Sequence, residues 1–335
     1  MENNLPFNER IARILHDENF RRDCINDYRQ NFFFKHLNLI KQIAFIDISQ
    51  YRIDNHEFDA TITEQDILDE TLSFYADLDA ICPSQPLLPT VLENQKYVTF
   101  KPNYGRLKPG EKPRSSCGFS WVKDEYGNNK LEREIFFDLE QNIKTRFVGP
   151  HEFAHSLSKA FEKGKPCADP LMAEFCPVIV DILSLEFFKN RHPEQAKMVE
   201  RLKTEHMVQN VLKARTSLLE ASVIQVMTGE TTVTEVMQQY GSLFNPRMIN
   251  NCLEQIEQNR FNPLYEARYV LSEVMATTLR DKMQVAPEEV VSSFKTVLSN
   301  DSEINFEQAT EMLNLPPKEV MVDRYKQKLN PEKSR

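Results

Sequence analysis

The chain has 335 residues, 41% of them hydrophobic, and a formal net charge of −9. That length can bury a substantial core in one domain or two joined lobes, and the acidic balance argues against nucleic acid or an anionic membrane surface as the main partner. Only 8 glycines leave few tight turns, which suits a mostly helical fold. The six cysteines form no C-x-x-C pair, so reduced thiols in a cytosol-like compartment are expected. Met1 to Leu5 lacks a signal-peptide layout and no stretch approaches a membrane span. The expected location is cytoplasmic, or exported without a cleavable signal by a specialised secretion system.

Residues 6 to 80 read as helices with polar connections, among them Phe32 to Ile46 and Gln65 to Leu78. Pro83, Pro86 and Pro89 break that pattern and mark a linker. Short strands follow at Tyr97–Phe100, Cys117–Val122 and Ile135–Leu139, with Tyr126 to Asn129 as a hairpin turn between the last two. Helices dominate again from Lys144, and the tail from Asn330 to Arg335 is expected to fray. The fold expected is mainly α with a small antiparallel β-sheet.

Within the helical part stands His151-Glu152-Phe153-Ala154-His155. On a helix, histidines four residues apart share one face, where both imidazoles can hold one Zn²⁺ while Glu152 addresses the remaining water. Such a pattern also arises by accident on a solvated helix face, so its surroundings decide. A zinc peptidase site needs a third protein ligand that leaves one position for water. Glu162, Asp169, Glu174, Asp181 and Glu186 are the nearby acidic candidates. Glu162 falls on or just after the same helix and cannot easily swing back. Asp169-Pro170 reads as an N-cap followed by proline at the first helical position, so a new helix beginning there carries Glu174 in its second turn and makes it the preferred ligand. Asp181, two turns further on nearly the same face, can accept from a ligand's ring N–H as an outer-shell group. Phe175, Val178, Ile182 and Leu185 form an apolar stripe beside it.

The stretch from Ser115 to Asn190, with S-S-C-G-F-S-W, E-I-F-F-D-L, F-V-G-P-H-E-F-A-H-S-L-S and D-P-L-M-A-E-F-C-P-V-I-V-D, resembles the catalytic core of the thimet oligopeptidase and oligoendopeptidase F zinc metallopeptidases. That resemblance implies a zincin-like metallopeptidase domain in which His151, His155 and Glu174 hold zinc, Glu152 is the general base, and Asp181 stands behind a ligand. More weakly, Ala214 to Tyr240 is similar to the family's helix pair after the metal site. The segment Tyr265 to Val274 is similar to its tyrosine-bearing helix. The resemblance implies Tyr269 as the donor to the oxyanion, with Tyr265 in reserve. Residues 1–82 then form an N-terminal helical region. Residues 83–335 form the catalytic region, with the sheet at about 97–139, metal helices at about 147–190 and C-terminal helices at about 195–328, all in one compact unit.

Several features depart from that family. Ala154 replaces its usual glycine, a change a helix tolerates. Pro150 directly precedes His151, so the helix must start there or kink. No histidine follows His206, so the family histidine beside the tyrosine is missing and oxyanion stabilisation rests on fewer donors or on Arg268. Family members also carry an N-terminal half that roofs a deep channel for short peptides. Because this chain matches mainly the catalytic half, a more open cleft is expected, with access for exposed loops of protein substrates. A sheet edge near Gly118 and Phe119 can pair with extended substrate, or the sheet can simply cover the core. The expected function is a zinc-dependent endopeptidase acting on peptide or protein substrates. The alternatives are a zinc hydrolase of a non-peptide amide and a binding protein on a peptidase scaffold.

Overall fold

The computed structural model describes residues 35–51, 60–101, 115–123, 128–139, 142–165, 167, 169–257 and 265–330. Helices α1 (Leu37–Ala44), α2 (Glu64–Ile81) and α3 (Leu88–Asn94) lead into strands β1 (Val98–Lys101), β2 (Ser116–Lys123) and β3 (Asn129–Asp138). Then come α4 (Lys144–Leu157), α5 (Lys159–Lys163), α6 (Phe175–Arg191), α7 (Ala196–Thr228) and α8 (Val233–Tyr240). The chain closes with α9 (Pro246–Glu257), α10 (Ala267–Met283), α11 (Pro287–Leu298), α12 (Phe306–Met312) and α13 (Lys318–Leu329). Two compact units result: one of Ser49–Met207 with Ser272–Tyr325, the other of Met1–Ile48, Val208–Leu271 and Lys326–Arg335.

In the larger unit, α2 begins at a capping box. Thr63 Oγ1 accepts from Asp66 N at 3.1 Å and Asp66 Oδ2 accepts from Thr63 N at 2.9 Å, which satisfies two amides that a helix start leaves open. Ile67, Thr71, Phe74, Tyr75 and Leu78 then recur at helical spacing and are buried. Of the prolines expected to mark a linker, Pro83 and Pro86 lie in a short, tied connection and Pro89 stands in the first turn of α3. Asp79 accepts from Leu87 N and Leu88 N, while the buried Lys295 ammonium donates to Asp79, to Cys82 O and to Ser84 O.

The sheet is three-stranded in the order β1-β3-β2. β2 and β3 pair antiparallel as expected, with Cys117 opposite Ile135 and Lys123 opposite Asn129. β1 joins the other side of β3 in parallel, Phe100 opposite Phe137, so the small sheet is mixed. A parallel neighbour needs a long connection rather than a tight turn, and here that connection includes β2 itself. β3 also starts earlier than its apolar run, because the charged stretch Lys130 to Glu134 pairs with β2 along a largely solvent-exposed half of the ribbon. Tyr126 and Gly127 of the expected hairpin turn lie outside the described residues, as do the N-terminal part of the first expected helix and the tail after Asn330.

α4 packs against α2, α6 and the sheet. Phe153 stacks toward Phe137 with ring centroids 6.3 Å apart, and Phe147 meets Phe188 edge-on at 5.2 Å. Each buried ring contributes roughly 2–3 kcal/mol of burial free energy. α4 also runs very close to α2. A Cβ built on Gly149 would stand 2.9 Å from the Ile67 carbonyl oxygen, so only glycine fits that crossing. Pro150 sits inside this helix, which starts back at Lys144, and its own carbonyl accepts from the buried Tyr75 hydroxyl at 2.9 Å.

In the smaller unit, Arg215 donates to Ala44 O and Ile46 O, both at 3.0 Å, closing the C-terminal end of α1. A capping box of Thr232 and Glu235 opens α8. Among the described residues no helix is long and apolar enough to cross a membrane.

Candidate metal centre

Every group of the centre belongs to the larger unit. α4 carries His151 in its third turn and His155 in its last, so the spacing of four turns both rings the same way. Their centroids are 5.1 Å apart and the rings lie edge to face. Glu174 completes the group: its Oε2 is 3.7 Å from His151 Nε2 and 3.5 Å from His155 Nε2. All three donor atoms lie within 4.8 Å of one another.

The route by which Glu174 arrives differs from the sequence expectation. Asp169 does cap, its Oδ1 accepting from Leu171 N at 2.9 Å, and Pro170 follows at the start. What it caps is one 3₁₀ turn, Pro170–Ala173, after which Glu174 takes up φ −111°, ψ 1° as the N-cap of α6. The physical reason is Pro177. An α-helix running on from Pro170 needs an N–H at position 177 to donate to Ala173 O, and proline has none. The helix therefore restarts so that Pro177 falls in a first turn, where a missing N–H is harmless. Glu174 stands at the break rather than in a second helical turn.

Asp181 lies two turns into α6, with both carboxylate oxygens 3.0 Å from His151 Nδ1. That contact holds the ring with Nδ1–H toward the carboxylate and leaves Nε2 for the centre. Burial alone would push the His151 pKa down, but Asp181, assisted by Glu152 and Glu174, outweighs it and brings the value to about 10. Burial pushes the Glu152 carboxyl up, against the charges of both histidines. Glu152 is 6% exposed. The other acidic candidates are engaged elsewhere: Glu162 is exposed beside Lys159, and Glu186 pairs with Lys203 and Arg280.

Zinc fits this donor set. Two imidazole nitrogens and one carboxylate are one of the ligand sets that catalytic zinc takes, and tetrahedral bonds of about 2.0–2.1 Å space ligand atoms about 3.4 Å apart. The separations of Glu174 Oε2 from the two imidazole nitrogens exceed that by only a few tenths of an ångström.

β2 approaches the centre from the sheet side. β2 packs on α4, and burial, and then the nearby Glu152 carboxylate, push the Cys117 thiol up. Gly118 and Phe119 follow on β2 along an open groove of about 700 Å³ that Lys96, Tyr97 and Arg133 also line. A Cβ on Gly118 would meet nothing within 4 Å, so another chain can come close there. Cys117 had no assigned part in the sequence reading, because nothing in its local pattern says which face of β2 it occupies.

Tyr265 and Tyr269 belong to the smaller unit. Their hydroxyls are 3.1 Å apart, Lys213 Nζ stands 3.9 Å from the Tyr269 ring centroid, and the Arg268 guanidinium lies over Tyr265.

No protein-family model and no curated protein matches the sequence. Solved structures do match in fold. An oligoendopeptidase F structure superposes with a TM-score of 0.56 at 9% identity, over 96% of this chain and 58% of its own. PZ peptidase A with an inhibitor gives 0.55 at 10% identity, over 94% and 59%. A structure described as an oligoendopeptidase F from Bacillus anthracis gives 0.51 at 12% identity, over 96% and 55%. The chain thus spans somewhat over half the length of these proteins, and nearly all of it has the oligoendopeptidase fold.

Proposed function

We propose that this chain is a zinc-dependent endopeptidase acting on extended polypeptide, including exposed loops of protein substrates. The observation that carries the reading is the convergence of His151 Nε2, His155 Nε2 and Glu174 Oε2, with Asp181 on the far nitrogen of His151 and Glu152 buried on the same helix. The peptidase folds of the matching structures support it.

When bound, zinc supplies Lewis-acid polarisation of the scissile carbonyl and a lowered pKa for the attacking water. Glu152 accepts the water's proton on a carboxylate oxygen and delivers it to the leaving amine nitrogen. Its burial favours this, since a carboxylate stripped of water holds a proton more tightly. Asp181 keeps His151 in the Nδ1–H tautomer, so Nε2 remains a donor. β2 is an edge strand among the described residues, and its outer backbone groups near Gly118 and Phe119 can pair with substrate backbone, which fixes the peptide without demanding a side-chain sequence. The oxyanion donor is assigned to Tyr269, with Tyr265 in reserve, on the R-Y-V-L-S-E-V resemblance.

The test is a pair of measurements on purified protein. About one zinc per chain should be found, and His151→Ala, His155→Ala or Glu174→Ala should each lose most of it while Glu162→Ala keeps it. Glu152→Gln should keep zinc and lose nearly all cleavage of quenched peptides and of intact proteins. Full activity in Glu152→Gln would sink the mechanism, and zinc retained by Glu174→Ala would sink the ligand set.

A further inference from the structure

The two arms of the centre reach it from different directions, and one short connection touches both. His155 lies in the last turn of α4, and the chain turns away at once: Ser158 is extended, with φ −68° and ψ 147°, before α5 starts. The amide of Lys159, in the first turn of α5, donates to Asp301 Oδ1 at 3.0 Å. Asp301 is 2% exposed and also accepts from the amides of Ala160 and Ser302. Beside it, Glu303 pairs with Lys163 at the end of α5.

The other end of this connection reaches the second arm. Asn305 caps α12 through a reciprocal box with Gln308, which leaves the Phe306 amide free of the helix ladder. That amide donates to Asp169 Oδ2 at 2.9 Å, while the other oxygen of the same carboxylate holds Leu171 N in the turn leading to Glu174. The Phe306 ring meets the ring of Phe175, the residue after Glu174, edge-on at 5.5 Å, and both are fully buried. Asp169 is 3% exposed. Each buried carboxylate thus holds a backbone amide of the opposite partner.

We propose that the connection Asp301–Phe306 is a clasp that sets the separation between the His155 and Glu174 donors, with Asp301 and Asp169 as positioning residues. Its bearing on zinc rests on the metal-centre reading above. The inference follows from where the restraints fall. α4 and α6 pack on each other directly, but His155 lies in the last turn of one and Glu174 at the break that precedes the other, so both donors stand at the ends of those elements. Groups that orient a ligand from behind typically carry ten- to hundredfold in metal affinity, and here they do so through the backbone rather than through a ring N–H.

Amide hydrogen exchange and zinc titration against a chromophoric chelator, both on the full chain, test the clasp. Asp301→Ala should speed exchange at Lys159 and also at Leu171 and Phe306 on the far side, and Asp169→Ala should do the converse. Zinc affinity should fall about ten- to hundredfold in Asp301→Ala. Asp301→Asn, which keeps an oxygen to accept the Lys159 amide, should recover most of that loss. Faster exchange confined to each carboxylate's own partners would overturn the clasp. So would a lower melting temperature with zinc affinity unchanged, the mark of a merely structural residue. Should Asp301→Ala fail to fold, Phe306→Leu keeps the amide bond, removes the ring contact, and is expected to lower zinc affinity about tenfold; no loss there overturns the proposal. If the wild-type chain takes no zinc, the metal-centre reading falls and the exchange pattern alone decides the clasp.

Discussion

Gly149→Ala is the substitution for which local and tertiary effects oppose each other most clearly. In an isolated helix the change should help, by about 0.5–1 kcal/mol, because alanine loses less backbone entropy than glycine. In this helix a Cβ at position 149 would stand 2.3 Å from Thr71 Oγ1, 2.7 Å from Ile67 Cγ2 and 2.9 Å from Ile67 O. Thr71 Oγ1 can rotate, although doing so breaks its 2.7 Å bond to Ile67 O. The Ile67 carbonyl cannot move without α2. Overpacking of this kind costs about 1–3 kcal/mol, and loss of the buried Thr71 bond about 1 more. Set against the propensity gain, the expected net loss is about 1–3 kcal/mol. Urea denaturation at constant slope is the assay, with the midpoint reporting the change. Thr71→Ala in the same chain should relieve only part of the loss, because the carbonyl clash survives it. A Gly149→Ala protein as stable as wild type, or more so, would refute the reasoning.

Glu70 supplies the pH prediction: burial raises its pKa from 4.5 to about 7 despite its pairing with Arg191. Because the folded value lies above the unfolded one, its contribution to stability is fully present below about pH 4.5 and is lost as pH rises through 7, on the order of 3 kcal/mol. Chemical denaturation at several pH values should therefore show a weaker fall from pH 5 to 7.5 in Glu70→Gln, and identical slopes would count against the assignment. Lys295→Ala should destabilise by about 3–5 kcal/mol, because Asp79 and two carbonyls would lose a buried cation; a melting temperature within a degree or two of wild type would exclude that role. Tyr269→Phe should lower kcat about a hundredfold with zinc content unchanged, and unaltered kcat would remove Tyr269 from the chemistry.

The helix that turns His151 and His155 to one side was legible because its information is local. Two histidines and a glutamate at fixed spacing define a face in any helix that contains them. Asp181 could be placed near that face by the same counting, although only the fold shows which ring it meets. The path to Glu174 was half legible: Asp169-Pro170 did announce a helical start, but the break that Pro177 imposes was not anticipated. β3 was cut short in the sequence reading because Lys130 to Glu134 carry no apolar run, and the cross-strand partners that make them a strand come from β2. β1 was expected as a strand, but its parallel pairing with β3, like the Asp301 connection, had no local signal. Their contacts join residues far apart in the chain, and pairing of that kind is set by the packed unit as a whole.

The proline at 177 also places helical continuity and donor geometry in opposition at one point of the chain. Every substitution that lets Pro170–Arg191 run as one uninterrupted helix improves local hydrogen bonding there. It also changes the phase of residue 174, since a 3₁₀ turn advances 120° per residue and an α-helix about 100°. It follows that sequence changes chosen to stiffen this segment are the ones the donor arrangement can least accept, a trade between robustness and donor geometry confined to a few residues.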